Sequence, residues 1–220
     1  SFLMDIRDFL KLPDEKIPEE LFQLDVLDGS PPCSVFSTAG VREEGWNTEK
    51  VFREGQAKQR LDDLFLYFIA IAKRLQPKIV IAENVKGIII GNAKGWVNQI
   101  VKGFDDAGYR VQIFLFNAAR MGVPQKRERV FFIAHRKDLK YPKLSMNFHS
   151  KLIPFGNVRE PYGKPMDENS LQAKLLKYRI PTDRCIADIN ERVRKVKNNG
   201  FSTPINRDEE PVQTIVTGSG

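Results

Sequence analysis

Three short segments carry residues with usable chemistry. The first, Gly29-Ser30-Pro31-Pro32-Cys33, follows the apolar run Leu24 to Leu27. A cysteine thiolate is a strong nucleophile, and two prolines restrict the backbone and fix where the Cys33 side chain points. A lone cysteine at a strand end is otherwise more often inert packing. The second, Ile81-Ala82-Glu83-Asn84-Val85, closes the β-branched run Lys78 to Ala82. A carboxylate leaving a buried strand enters a low-dielectric crevice, where it can hold or deliver a proton. A helix cap or solvated loop acid is the simpler account of Glu83 taken alone. The third is Gln125-Lys126-Arg127-Glu128-Arg129. Alternate side chains of an extended segment share a face, so Gln125, Arg127 and Arg129 are expected to point together. Two guanidinium groups suit a phosphate or a polarised carbonyl oxygen; an exposed basic strand end making surface ion pairs of little worth is the alternative.

Alternating strands and helices can position these segments. Leu24 to Leu27 reads as a short strand closed by Asp28-Gly29-Ser30-Pro31-Pro32. Leu61, Leu64, Phe65, Phe68, Ile69 and Ala72 form one apolar helix face, and Pro77 follows as a stop. Lys78 to Ala82 lacks alternation, as a strand covered on both faces would. Trp96 to Phe104 predicts a second helix ending before Gly108, and Val111 to Phe116 and Val130 to Ala134 predict two further strands. This order implies βαβ units and an open α/β sheet, with Cys33 and Glu83 leaving the same, carboxyl edge, where such sheets place their sites. Beyond about residue 141 prolines recur, periodicity weakens and basic residues gather. Short helices are expected near Ser170 to Arg179 and Ile186 to Val196.

Composition narrows the class. With 41% hydrophobic and 29% charged residues the chain is globular in type. Its apolar runs are too short to span a bilayer, and no secretory signal opens it. Two cysteines in 220 residues make no disulfide framework, so a reducing cytoplasm is the expected setting. Residues 120–200 hold 19 Lys/Arg against 8 Asp/Glu, a net +11 within a total of +7, which leaves the rest at −4. A basic half beside an acidic one suits a face that meets a polyanion, although a solubilised surface explains the charge equally well.

Taken in order, Pro31-Pro32-Cys33, Glu83-Asn84-Val85 and the QxRxR of Gln125, Arg127 and Arg129 resemble the hallmark motifs of the cytosine-5 DNA methyltransferase family. The likeness runs from about Met4 to Arg136, with a weaker match at Glu210 to Gly218. It implies a Rossmann-like S-adenosylmethionine-dependent methyltransferase sheet with helices on both faces, in residues 1–145, and a small irregular target-recognition domain in residues 146–220. It also implies roles. Cys33 would be the nucleophile, with Glu83, Arg127 and Arg129 holding the cytosine ring. Asp5, Ile6, Pro32 and Leu64 would contact S-adenosylmethionine. Ser34, Ser37, Arg42, Asn84 and Gln125 would lie on the DNA side, Arg53 being a further phosphate candidate, and the loop from Ser34 to Arg60 would close on DNA. The partner would be double-stranded DNA, with the cytosine flipped out of the stack; a monomer with no metal and no membrane association is expected.

The family's glycine-rich cofactor loop and ribose-binding acid are expected before Asp5, and its closing segments after Gly220. Residues 1–220 alone are therefore expected to bind S-adenosylmethionine poorly, and a micromolar dissociation constant by calorimetry would contradict this. Two rivals stand beside a DNA enzyme: a tRNA cytosine-5 methyltransferase, which Gln125 and the basic tail disfavour, and a non-catalytic DNA-binding module.

Overall fold

The computed structural model describes residues 3–32, 63–90, 94–160, 166–197 and 202–215. Strands fall at Val26–Gly29 (β1), Ile79–Val85 (β2), Tyr109–Asn117 (β3), Gln125–Lys126 (β4), Glu128–Arg136 (β5) and Val212–Gln213 (β6). The α-helices are Ile6–Phe9 (α1), Leu64–Leu75 (α2), Lys94–Asp106 (α3), Leu171–Leu176 (α4) and Ile186–Arg194 (α5). Two compact units are present, one made of Ser1–Phe116 with Glu128–Met146 and the other of Asn117–Arg127 with Asn147–Gly220.

The first unit is α/β, with a four-stranded sheet in the order β1-β2-β5-β3. β1 and β2 are parallel, and β5 runs antiparallel to β2. The sheet is therefore mixed. Only residues 118–127 separate β3 from β5, fewer than a parallel crossover through a helix needs, so β5 turns back and runs against β2. Val80 and Ala82 of β2 and Val130, Phe132 and Ala134 of β5 share one face. They pack there with Phe65, Phe68 and Ile69 of α2 and Ile100 and Phe104 of α3. Both long helices thus cover the same face. The opposite face carries buried Ile133 and His135, the latter beside the ring of Tyr141.

Local chemistry explains the helix ends. α2 stops in a left-handed Gln76, whose N–H returns to the Ala72 carbonyl, and Pro77 then prevents continuation. α3 ends before Gly108, whose φ of 91° suits glycine. The other side of α2 presents Ile71 and Leu75 to Phe9 and Ile17, so the N-terminal segment is packed against this helix. Tyr109 is fully buried, its hydroxyl donates to the Pro77 carbonyl at 2.7 Å, and burial pushes its phenol pKa up.

β1 begins two residues later than its apolar run suggests and ends in Gly29. A Cβ at Gly29 would sit 2.5 Å from Cε2 of Phe68, so only glycine lets the strand end lie against α2. Gly29→Ala is expected to destabilise the protein by about 1–3 kcal/mol through overpacking. Urea unfolding should show a lower midpoint with an unchanged slope; an unshifted midpoint would contradict the close approach.

In the second unit β4 and β6 form a two-stranded parallel sheet. Lys126 pairs with Glu210, and Thr214 Oγ1 donates to the Lys126 carbonyl at 2.8 Å. Ser170 caps α4 by accepting from the Ala173 N–H. Buried Asp183 accepts from Arg192 and from the Ile180 N–H, both at 2.8 Å, which compensates for its desolvation.

Candidate active site

β1 and β2 run the same way with Gly29 opposite Ala82, so the chain after Gly29 and the residues from Glu83 onward leave one edge of the sheet. β2 continues through Glu83, Asn84 and Val85, paired with β5, rather than ending at Ala82. Successive residues therefore face opposite ways. Asn84 turns toward the packed core, and Glu83 toward the other face.

On Glu83's face the pairing brings in Arg129. Glu83 lies opposite Phe131 and Val85 opposite Arg129, which makes Glu83 and Arg129 diagonal neighbours. Arg129 Nε donates to Glu83 Oε1 at 2.8 Å, with the side chains 22% and 27% exposed. Arg129 Nη1 also donates to the Glu128 carbonyl at 2.8 Å. The carboxylate is thus oriented by a partly buried guanidinium and still reachable from solvent. Alongside, Lys86 and Glu128 pair at 2.7 Å, a second tie between the end of β2 and the start of β5.

Asn84 is 3% exposed, and both polar atoms of its amide are used. Its Nδ2 donates to the Pro31 carbonyl at 3.1 Å, and its Oδ1 accepts from the Val85 N–H at 2.9 Å. The inward parity of β2 commits this side chain to an internal bond.

The run Gln125 to Arg129 is not one extended strand. Gln125 and Lys126 pair with β6 in the second unit, whereas Glu128 and Arg129 belong to β5 in the first. Between them the Arg127 N–H bonds to the Gln125 carbonyl at 3.0 Å, and the Arg127 carbonyl accepts from Ala118. This tight turn breaks the two-residue alternation, so the shared face expected of Gln125, Arg127 and Arg129 does not follow. Gln125 and Arg127 are each half-buried. Cys33, Ser34, Ser37, Arg42 and Arg53 lie outside the described residues.

Of the four residues expected at the cofactor, Asp5 has the most defined surroundings. It caps α1, accepting from the Arg7 N–H and Nε, both at 2.8 Å, and from Nη2 at 2.7 Å. Those bonds hold its carboxyl at about 2, below the ordinary 3.8. Ile6 packs against the core, Leu64 opens α2 half-buried, and Pro32 is exposed. A fixed, half-exposed acceptor next to an apolar side chain fits an amino-bearing ring edge such as that of an adenosyl group. Arg7 was missed in the sequence, although an Asp-x-Arg at a helix start is a legible capping signal. Arg7→Ala is expected to raise the Asp5 midpoint from about 2 toward 3.8, followed by carboxyl NMR titration. Because the folded value is the lower one, the pair's stabilisation is present above 3.8 and is lost as the pH falls through about 2. An unmoved midpoint would show that Arg7 is not the cause.

Among the described residues no cluster of three His, Cys, Asp or Glu could hold a metal ion, and no helix is long and apolar enough to cross a membrane.

The fold and this edge define an α/β protein with an acid–guanidinium pair between the carboxyl end of β2 and the amino end of the antiparallel β5. Residues 3–213 match the family described as C-5 cytosine-specific DNA methylase, and the chain belongs to that family. It is 34% identical over 181 residues to the type II methyltransferase M.FnuDI of Fusobacterium nucleatum, covering 80% of this chain and 47% of that one. The type II methyltransferase M.NgoPII of Neisseria gonorrhoeae is 38% identical over 136 residues, 60% of this chain and 34% of its own. The orphan methyltransferase M.SPRI of Bacillus phage SPR is 34% identical over 151 residues, 68% of this chain and 31% of its own. The chain thus spans about half or less of the length of these relatives.

Proposed function

We propose that the protein transfers a methyl group from S-adenosylmethionine to carbon 5 of a cytosine flipped out of double-stranded DNA, through a covalent bond to Cys33. Family membership together with the Glu83–Arg129 pair, at the sheet edge from which the chain leads to Cys33, carries this reading. When bound, S-adenosylmethionine supplies an electrophilic methyl group, and Asp5, Ile6, Pro32 and Leu64 would hold it. The Cys33 thiolate forms a bond to ring carbon 6, and the ring π electrons move so that carbon 5 becomes nucleophilic. Glu83 delivers a proton to ring nitrogen 3, which neutralises the charge that addition creates there, with Arg129 orienting the carboxylate left behind. Arg127 and Arg129 hold the exocyclic carbonyl and neighbouring backbone. Once carbon 5 carries the methyl group, its proton passes to water and the bond between the Cys33 sulfur and carbon 6 breaks, the electron pair returning to the thiolate.

Residues 1–145 would be the catalytic part and residues 146–220 the target-recognition domain. Ser34, Ser37, Arg42 and Gln125 would meet DNA. A monomer in the cytoplasm, acting without a metal, completes the proposal. The test is transfer of labelled methyl by the full parent gene product from S-adenosylmethionine to mixed-sequence DNA and, in parallel, to tRNA. DNA labelling is expected. Labelling of tRNA alone would change the substrate and keep the catalytic roles, and transfer to neither would favour a binding module.

A further inference from the structure

Asn84 stands at a junction that the proposed chemistry does not use. It sits one residue after Glu83 on β2, yet it faces the other way, into the core. Its partners fix the orientation of its amide. The Pro31 carbonyl can only accept and the Val85 N–H can only donate, so Nδ2 must point to the first and Oδ1 to the second. A buried primary amide is costly unless it is bonded in this way.

The bond to Pro31 spans 53 residues of sequence and joins the two segments that leave the sheet edge. Pro31 is buried and, as an imino acid, has only its carbonyl to offer. Pro31 and Pro32 are both locked in φ, so anchoring the Pro31 carbonyl constrains where the chain departs toward residue 33. Gly29, pressed against Phe68, constrains the same turn from its other end. One side chain therefore links the strand that carries Glu83 to the turn that leads to Cys33.

We propose that Asn84 is a positioning residue for the methyl-transfer reaction, setting the Pro31–Pro32 turn, which precedes Cys33 in sequence, relative to the end of β2 that carries Glu83. This inference rests on the function proposed above. It predicts an effect on the covalent step without an equal effect on substrate binding. Misplacing a reacting group by about 1 Å can cost ~100-fold in rate.

The decisive variant is Asn84→Asp, which keeps the acceptor for Val85 and loses the donor to Pro31. Measured at about pH 8 on the full parent gene product with S-adenosylmethionine and DNA, kcat is expected to fall about 10- to 100-fold, with KM for each substrate within about threefold. A carboxyl in this buried place resists ionisation and, once protonated, can donate to the Pro31 carbonyl as the amide does. The ratio of variant to wild-type kcat should therefore rise as the pH is lowered from about 8 to about 6. A role confined to core packing would produce neither the split nor the recovery. Asn84→Ser, whose hydroxyl is too short to span to Pro31, carries the same kcat-against-KM test should the aspartate variant fail to unfold cooperatively. Unchanged kcat in both variants across this pH range, or kcat and both KM values worsening together, would overturn the positioning role alone. A wild-type protein that labels neither DNA nor tRNA would remove the proposed function and this inference with it.

Discussion

Cys33→Ser is expected to abolish covalent capture of DNA containing 5-fluorocytosine, with methyl transfer reduced by at least ~10⁴-fold. The fluorine cannot leave carbon 5 as a proton does, so a working nucleophile becomes trapped and the adduct survives denaturing electrophoresis. Serine matches cysteine in size but is not ionised near neutral pH, so without a dedicated base it cannot add to carbon 6 at a useful rate. The chain has one other cysteine, Cys185, half-buried at the start of α5. Cys185→Ser should leave adduct formation unchanged, which makes it the internal control. Adduct formation by the Cys33→Ser protein at the wild-type rate would end the assignment of Cys33. Loss of the adduct in the Cys185→Ser protein would move the nucleophile elsewhere.

The second large effect concerns Glu83 and Arg129. Glu83→Gln retains shape and hydrogen-bonding capacity while removing charge, and is expected to lower kcat about 10²- to 10³-fold. Arg129→Met should cost a similar factor, because the guanidinium at 2.8 Å is what orients the carboxylate. If the two act as one device, the double variant will be hardly worse than the poorer single one, since groups that work together are not additive. Multiplying penalties would show that each acts separately. Stability should change far less, by about 1 kcal/mol, because both side chains are partly exposed and water can solvate the partner left behind. Chemical unfolding of each single variant, run beside the kinetics, separates the two effects.

Much of the first unit was legible in the chain because its signals are local. Pro77 after an apolar helix stripe, Gly108 where a left-handed turn is needed, and the unbroken apolar run at Lys78 to Ala82 each act within a few residues. They located α2, α3 and β2 to within two or three residues at most ends. The helix beginning near Leu171 was legible for the same reason, since Ser170 is a good cap. Other features have no local signal. The inward bond of Asn84 depends on strand parity and on a carbonyl 53 residues away. The QxRxR run was read as one extended segment, but the bond from Arg127 to the Gln125 carbonyl and the pairing of Gln125 with Val212 divide it.

The sequence by itself determined which reactive groups exist, their order, the elements that carry them, and hence the family. Those depend on side-chain identity and short-range backbone preference. Only the tertiary structure decided that β5 runs against β2, that this register sets Arg129 diagonally across from Glu83, and that Asn84 turns inward to hold Pro31. Each of these is a choice of register or face between segments separated by 40 residues or more. A shift of one residue in such a pairing would turn every side chain to the opposite face, and no local signal in either segment specifies it.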